Sequence, residues 1–368
     1  MKLITASIMK TRLISAALLC VFAFTACKDG KTVKPSVKWS PEQAEAWYAA
    51  LPWLSGCNYN PASAINTIEM WSADTYDPEQ IDKELGWAEE LGFNTMRTFL
   101  SSVVFKNDPD GMVQRMDNFL SICDKHGIKP MFVIFDDCWN PESWYGKQPD
   151  PKPGVHNSGW VQDPSVSLRA DTTALFSELE KYVKGIVTAF RGDDRLLMWD
   201  VYNEPGNEKH GNESIPLLKN TFRWAREAGS TQPLTAGVWK DGLKELNKIQ
   251  LEESDVITYH CYNGDPEVQQ HTIDTLKTYA KGGPLINTEY MARRNDCTFQ
   301  KIMPLLKKNN VGAINWGFVA GKTNTIFAWG DPRPDVVEPE LWFHDIFRQD
   351  HTPFSEEEIE VIKACNSK

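Results

Sequence analysis

Roughly eight times along its length, this chain sets an apolar β-type run ahead of an amphipathic stretch of helical period. That repeat is the strongest constraint on its fold. The runs occupy residues 55–60, 93–99, 129–135, 196–202, 233–238, 256–261, 284–288 and 311–316. Several, such as Met131-Phe-Val-Ile-Phe135, are continuously apolar, as expected of parallel strands covered on both faces. The stripes between them stop at glycines: Ile81, Leu85, Ala88 and Leu91 at Gly92, and Met116, Phe119, Leu120 and Cys123 at Gly127. Ser214 is placed to cap a helix carrying Leu217, Leu218, Phe222 and Ala225, and Val268, Leu276 and Tyr279 form a further stripe. Ser355-Glu-Glu-Glu358 has the pattern of a capping box. Eight β-then-α units in about 310 residues predict one (β/α)8 TIM barrel over residues 41–368. A doubly wound open sheet would need a Gly-rich phosphate loop after the first strand, and residues 55–61 hold none.

Ahead of the barrel, Lys2, Lys10 and Arg12 precede an apolar run over residues 14–24, too short to span a bilayer as a mature helix. Phe24-Thr25-Ala26-Cys27 follows and resembles a bacterial lipoprotein signal. The resemblance implies a signal peptide over residues 1–26, lipidation of Cys27 and a tether over residues 27–40. The expected location is outside the cytoplasm, membrane-anchored through the lipid, periplasmic or cell-surface.

Composition narrows the partners. Lys and Arg total 39 against 50 Asp and Glu, a formal charge of −11, which argues against nucleic acid. Fourteen Trp exceed what a core of this size needs and suit flat apolar platforms for sugars. The eight Cys contain no CxxC, so no zinc site is expected.

A barrel carries its chemistry at the C-terminal ends of its strands. There the sequence places Arg97 after the second run, Asp136, Asp137, Trp139 and Asn140 after the third, and Asn203-Glu204-Pro205 after the fourth. His260 and Tyr262 follow the sixth, Glu289 the seventh and Trp316 the eighth. Two opposed glutamates at one rim are what glycoside cleavage requires: one protonates the leaving oxygen while the other attacks or stabilises the anomeric centre. Strand alternation turns both Arg97 and Asp200 inward, so a barrel-core ion pair is a competing role for Arg97. His260 has a competing role as a satisfied core histidine.

Trp199-Asp-Val-Tyr-Asn203-Glu204-Pro205 resembles the acid/base signature of the clan A retaining glycoside hydrolases, most closely the cellulase-like family 5. Arg97, His260 with Tyr262, Glu289 and Trp316 match that family's pattern at four further strand ends. The resemblance implies Glu204 as acid/base and Glu289 as nucleophile. It implies Asn203 on the sugar 2-hydroxyl, Arg97 and Tyr262 orienting Glu289, and Trp316 under the sugar, with no cofactor and no metal. The family usually places a His at the end of strand three. Here the sequence runs Phe135-Asp-Asp-Cys-Trp-Asn140, so Asp137 and Trp139 are taken as sugar contacts instead. The long excursion that follows, residues 136–171, carries Trp139, Trp144 and Trp160 among prolines. It either walls the cleft, favouring exo action, or leaves it open for internal cutting. The expected substrate is a β-linked poly- or oligosaccharide, with galactoside, mannoside, xylan and glucan all open. The alternative from another class is a surface glycan-binding lipoprotein that kept the barrel and lost turnover.

Overall fold

The computed structural model describes residues 34–367. The expected signal peptide, Cys27 and the tether up to residue 33 lie outside the described residues. Among the described residues, β1 (Ser55–Asn58), β2 (Thr95–Phe99), β3 (Lys129–Val133), β4 (Met198–Asp200), β5 (Leu234–Thr235), β6 (Ile257–His260), β7 (Leu285–Tyr290) and β8 (Gly312–Asn315) form one sheet. Its order is β5-β4-β3-β2-β1-β8-β7-β6, and every ladder is parallel. The ends meet through one short bridge, where the Val238 amide donates to Thr258 O and the His260 amide donates to Val238 O. The sheet is a (β/α)8 barrel, as the repeat predicts.

The helices in chain order are α1 (Pro41–Ala49), α2 (Thr67–Trp71), α3 (Pro78–Glu90), α4 (Ser102–Asn107), α5 (Pro109–Lys125), α6 (Thr172–Ala189), α7 (Ile215–Glu227), α8 (Lys244–Glu253), α9 (Pro266–Ala280), α10 (Phe299–Lys308) and α11 (Glu356–Asn366). Several start on one device. In α3, α5 and α9 an aspartate (Asp77, Asp108, Asp265) accepts a first-turn amide, and proline holds the next position, where no N–H is needed. The apolar stripes of α3 and α5 face the strands, burying Ile81, Leu85, Met116 and Phe119. At the N-terminal end of the barrel, Ala44 and Tyr48 of α1 plug the bottom against Met131, Met198, Ile286 and Ile314. None of these helices is long and apolar enough to cross a membrane.

Three local expectations are corrected. Ser214 makes no cap; its hydroxyl donates to Asp137, and α7 starts from a preceding helical turn. In α9, Val268 and Tyr279 point outward, while Gln269, Ile273, Leu276 and Ala280 are buried. Burial of the Gln269 amide, which donates to Cys261 O and Asn263 O, sets that face. At α11 the Ser355 hydroxyl accepts the Glu358 amide, but the Glu358 carboxylate turns away to pair with Arg293. All six cysteines of the described residues are free thiols.

Candidate active site

The two glutamates reach one point by different routes. Glu289 stands within β7, paired in register with His260 of β6 across a local bulge. Glu204 follows β4, where the Asn203 amide donates to Phe135 O and a turn begins with the Asn207 amide on Glu204 O. Glu204 adopts φ 42°, a left-handed backbone that costs a non-glycine residue roughly 1–2 kcal/mol. Strain of this kind collects where a side chain must be aimed.

The strained turn brings one carboxylate oxygen of Glu204, one of Glu289 and a ring nitrogen of His260 within 4.8 Å of one another. Arg97, fully buried, holds the floor. Its Nη1 donates to Glu289 Oε1 at 2.7 Å and to Asn58 Oδ1 at 2.7 Å. Its Nε and Nη2 donate to Asp200 Oδ2 at 3.0 and 2.8 Å, and Nη2 reaches Asn203 Oδ1 at 2.6 Å. Arg97 is thus ion-paired with Asp200 and Glu289 at once. Tyr262 donates its hydroxyl to Glu289 Oε2 at 2.8 Å. His260 Nδ1 lies 2.8 Å from Glu204 Oε1 and 3.4 Å from Glu289 Oε2. Asn207 Nδ2 donates to Glu204 Oε2 at 2.7 Å, with Cys138 Sγ 3.4 Å from the same oxygen.

These surroundings separate the two carboxyls. Burial lifts Glu204 to about 6, opposed by the Cys138 contact, the Arg97 charge and the Asn207 amide. Burial raises Glu289 as well, but this carboxylate touches a full guanidinium charge while Glu204 touches neutral donors. The Arg97 contact thus favours the ionised form of Glu289 against its burial, while burial favours the protonated form of Glu204. Burial pushes His260 down to about 4, so its imidazole is neutral.

The cleft above this pair encloses about 1230 Å³ and is lined by Asp136, Cys138, Trp139, Trp239, Trp316 and Trp329, among others. The family model described as cellulase (glycosyl hydrolase family 5) matches residues 56–321, the greater part of the chain and nearly all of the barrel. The chain belongs to glycosyl hydrolase family 5. Similar proteins include mannan endo-1,4-beta-mannosidase A of Hypocrea jecorina, 18% identical over 262 residues, covering 64% of this chain and 55% of that one. The chain thus spans about half the length of that relative. Among solved structures, the exo-beta-1,4-mannosidase of Opitutaceae bacterium strain TAV5 superposes with a TM-score of 0.59 at 19% identity, covering 84% of this chain and 59% of that one. The endo-beta-1,4-mannanase of Thermotoga petrophila gives 0.54 at 16% identity, with 85% and 77% covered. At such identities these structures establish a shared fold.

Of the residues singled out in this family 5 chain, Arg97, Asn203, Glu204, His260, Tyr262, Glu289, Trp139 and Trp316 gather at the cleft or directly beneath it. Asp137 does not. It is fully buried behind the rim, held by Tyr202 Oη, Arg169 Nη2, Ser214 Oγ and the Gly206 amide. Its neighbour Asp136 lines the cleft instead, accepting Asn203 Nδ2 at 2.9 Å and Trp160 Nε1 at 2.8 Å. Asn58, Cys138, Asn207, Trp239 and Trp329 escaped the sequence reading. Asn207 lies three residues past Glu204 and Cys138 two past Asp136, so inspecting the residues beyond each strand end would have raised both. Trp329 packs edge-on against Tyr262, with ring centroids 4.9 Å apart, from a loop that carries no periodic signal.

Glu204, His260 and Glu289 have the spacing of a metal site. Their other contacts disfavour a cation there. Glu289 is already neutralised by Arg97 and bound by Tyr262, so a divalent ion would sit beside a guanidinium on the same carboxylate. The donor set suits proton transfer.

Proposed function

We propose that the protein is a retaining β-glycoside hydrolase, with Glu204 as acid/base and Glu289 as nucleophile. The observation that carries this reading is the approach of the two glutamates: one oxygen of each lies within 4.8 Å of the other. Retaining enzymes place their carboxyl groups about 5–5.5 Å apart, whereas inverting ones leave about 6.5–9.5 Å for a water. With a sugar seated on Trp316, Glu289 attacks the anomeric carbon as Glu204 delivers its proton to the leaving oxygen. A water then gives its proton to Glu204 and displaces Glu289, restoring both groups. Arg97 and Tyr262 keep Glu289 ionised and aimed. Asn203 is anchored by Arg97 and Asp136, and a sugar 2-hydroxyl would take the amide hydrogen now turned to Cys138 Sγ at 3.4 Å.

β-Mannosides are the first substrates to try, because the relatives reported above carry mannanase and mannosidase names. The export-type N-terminus supports a substrate outside the cytoplasm, with the chain tethered through lipid on Cys27. The test is a screen of 4-nitrophenyl β-mannoside, galactoside, xyloside and glucoside with wild type and Glu204→Ala in parallel. Wild type should release nitrophenol from at least one. With these activated leaving groups Glu204→Ala should stall at the glycosyl-enzyme, for want of a base to activate water, and regain turnover with azide, giving a β-glycosyl azide. No hydrolysis of any β-glycoside by wild type would leave a glycan-binding barrel as the better reading.

A further inference from the structure

The glycone side of the cleft is closed. Two segments from distant strands meet there: the excursion after β3, residues 136–171, and the loop after β8, residues 316–347. The Asn157 amide donates to Thr323 O at 2.7 Å, and His156 Nδ1 bonds Phe327 O at 2.7 Å. The Arg333 amide donates to Gly154 O at 3.0 Å, and Asn324 Nδ2 to Lys152 O at 3.0 Å. In the sheet, β3 and β8 are separated by β2 and β1, so this seam spans the mouth over those two strands. Inside the seam, Trp160 meets Trp316 edge-on at 6.4 Å, and Phe99 packs against both at 5.2 and 5.9 Å. The Trp160 indole N–H is pinned to Asp136. Behind the Trp pair, against Asn58, Asn60 and Phe99, the remaining space is about 30 Å³. That is room for a water or two, far too little for a second sugar ring.

The opposite side is open. Trp239 donates its indole N–H to Pro205 O beside the acid, and the cleft continues from there past Lys240 and Lys244. Because Glu204 protonates the leaving oxygen, the aglycone runs out along this side. The non-reducing end of the bound sugar faces the Trp160–Trp316 wall.

We infer that the site holds a single glycone sugar and that the enzyme removes one monosaccharide at a time from the non-reducing end. This rests on the glycosidase reading above and adds the mode of attack. The test uses two probes built on whichever sugar the aryl screen selects, the 4-nitrophenyl β-monoglycoside and the 4-nitrophenyl β-1,4-bioside. The monoglycoside should release nitrophenol at once. The bioside should release free monosaccharide first and nitrophenol only after a lag. Immediate release of nitrophenol together with intact disaccharide would overturn the inference and leave the glycosidase reading standing. If wild type cut no β-glycoside in the aryl screen, the glycosidase reading would fall and the inference with it.

Discussion

Replacing Glu204 by Gln should stabilise this protein at neutral pH while removing turnover. Burial lifts the Glu204 carboxyl from its ordinary 4.5 to about 6, so over that interval the folded chain holds a proton that the unfolded chain has released. A folded state that binds more protons loses stability as pH rises. Below pH 4.5 both states are protonated and there is no deficit. Above pH 6 the deficit is complete, about 2 kcal/mol at roughly 1.4 kcal/mol per pH unit. Gln has the same shape and no charge. Its oxygen can accept Asn207 Nδ2, and its amide can donate to His260 Nδ1, reproducing both contacts. The Glu204→Gln protein should therefore exceed wild type by about 2 kcal/mol at pH 7.5 and match it at pH 4, read from urea unfolding by Trp fluorescence. Asp136, at about 6, and Asp163, at about 7, are also raised by burial. They titrate in both proteins and cancel to first order in the difference. Equal stabilities at pH 7.5, or a less stable variant, would refute the claim that burial poises Glu204 as an acid.

The same carboxyl sets the pH profile: kcat/KM on an aryl β-glycoside should fall as pH rises through about 6, because ionised Glu204 has no proton to give. A basic limb absent up to pH 8 would contradict this. Arg97→Met should cost about 3–5 kcal/mol at neutral pH, since it leaves the Asp200 and Glu289 carboxylates buried without their cation. Urea midpoints should show a smaller loss at pH 4, where Glu289, raised by burial, can protonate. Prolonged dialysis against EDTA should leave turnover unchanged, because the Glu204–His260–Glu289 cluster is satisfied by Arg97, Tyr262 and Asn207. Loss of activity restored by a divalent ion would contradict that assignment.

The barrel was legible because parallel strands covered on both faces must be apolar throughout, and the helices stop at left-handed glycines such as Gly92 and Gly127. Glu289, Arg97 and His260 stood out for a related reason: each is a polar residue within or at the end of an apolar run, where only the barrel axis can accept it. That logic fails once the strand ends. β3 stops at Val133, and the chain through Asp136 bridges to Asn203 and Asp163 rather than continuing the pleat. Alternation therefore gave no guide to which of Asp136 and Asp137 meets the cleft. The face of α9 was misjudged because a buried, hydrogen-bonded Gln269 reads as surface in a hydrophobicity pattern. The seam closing the glycone side depends on backbone carbonyls of Thr323 and Phe327, which carry no sequence signature.

Mass spectrometry of the protein after incubation with a 2-deoxy-2-fluoro β-glycosyl fluoride addresses the division of labour between the two glutamates most directly. The fluorine slows release of the glycosyl group, so the covalent adduct accumulates. The account predicts one added sugar per chain, located by peptide mapping on Glu289, and no adduct in Glu289→Gln. An adduct on Glu204 or elsewhere, or steady turnover of unmodified substrate by Glu289→Gln, would contradict it.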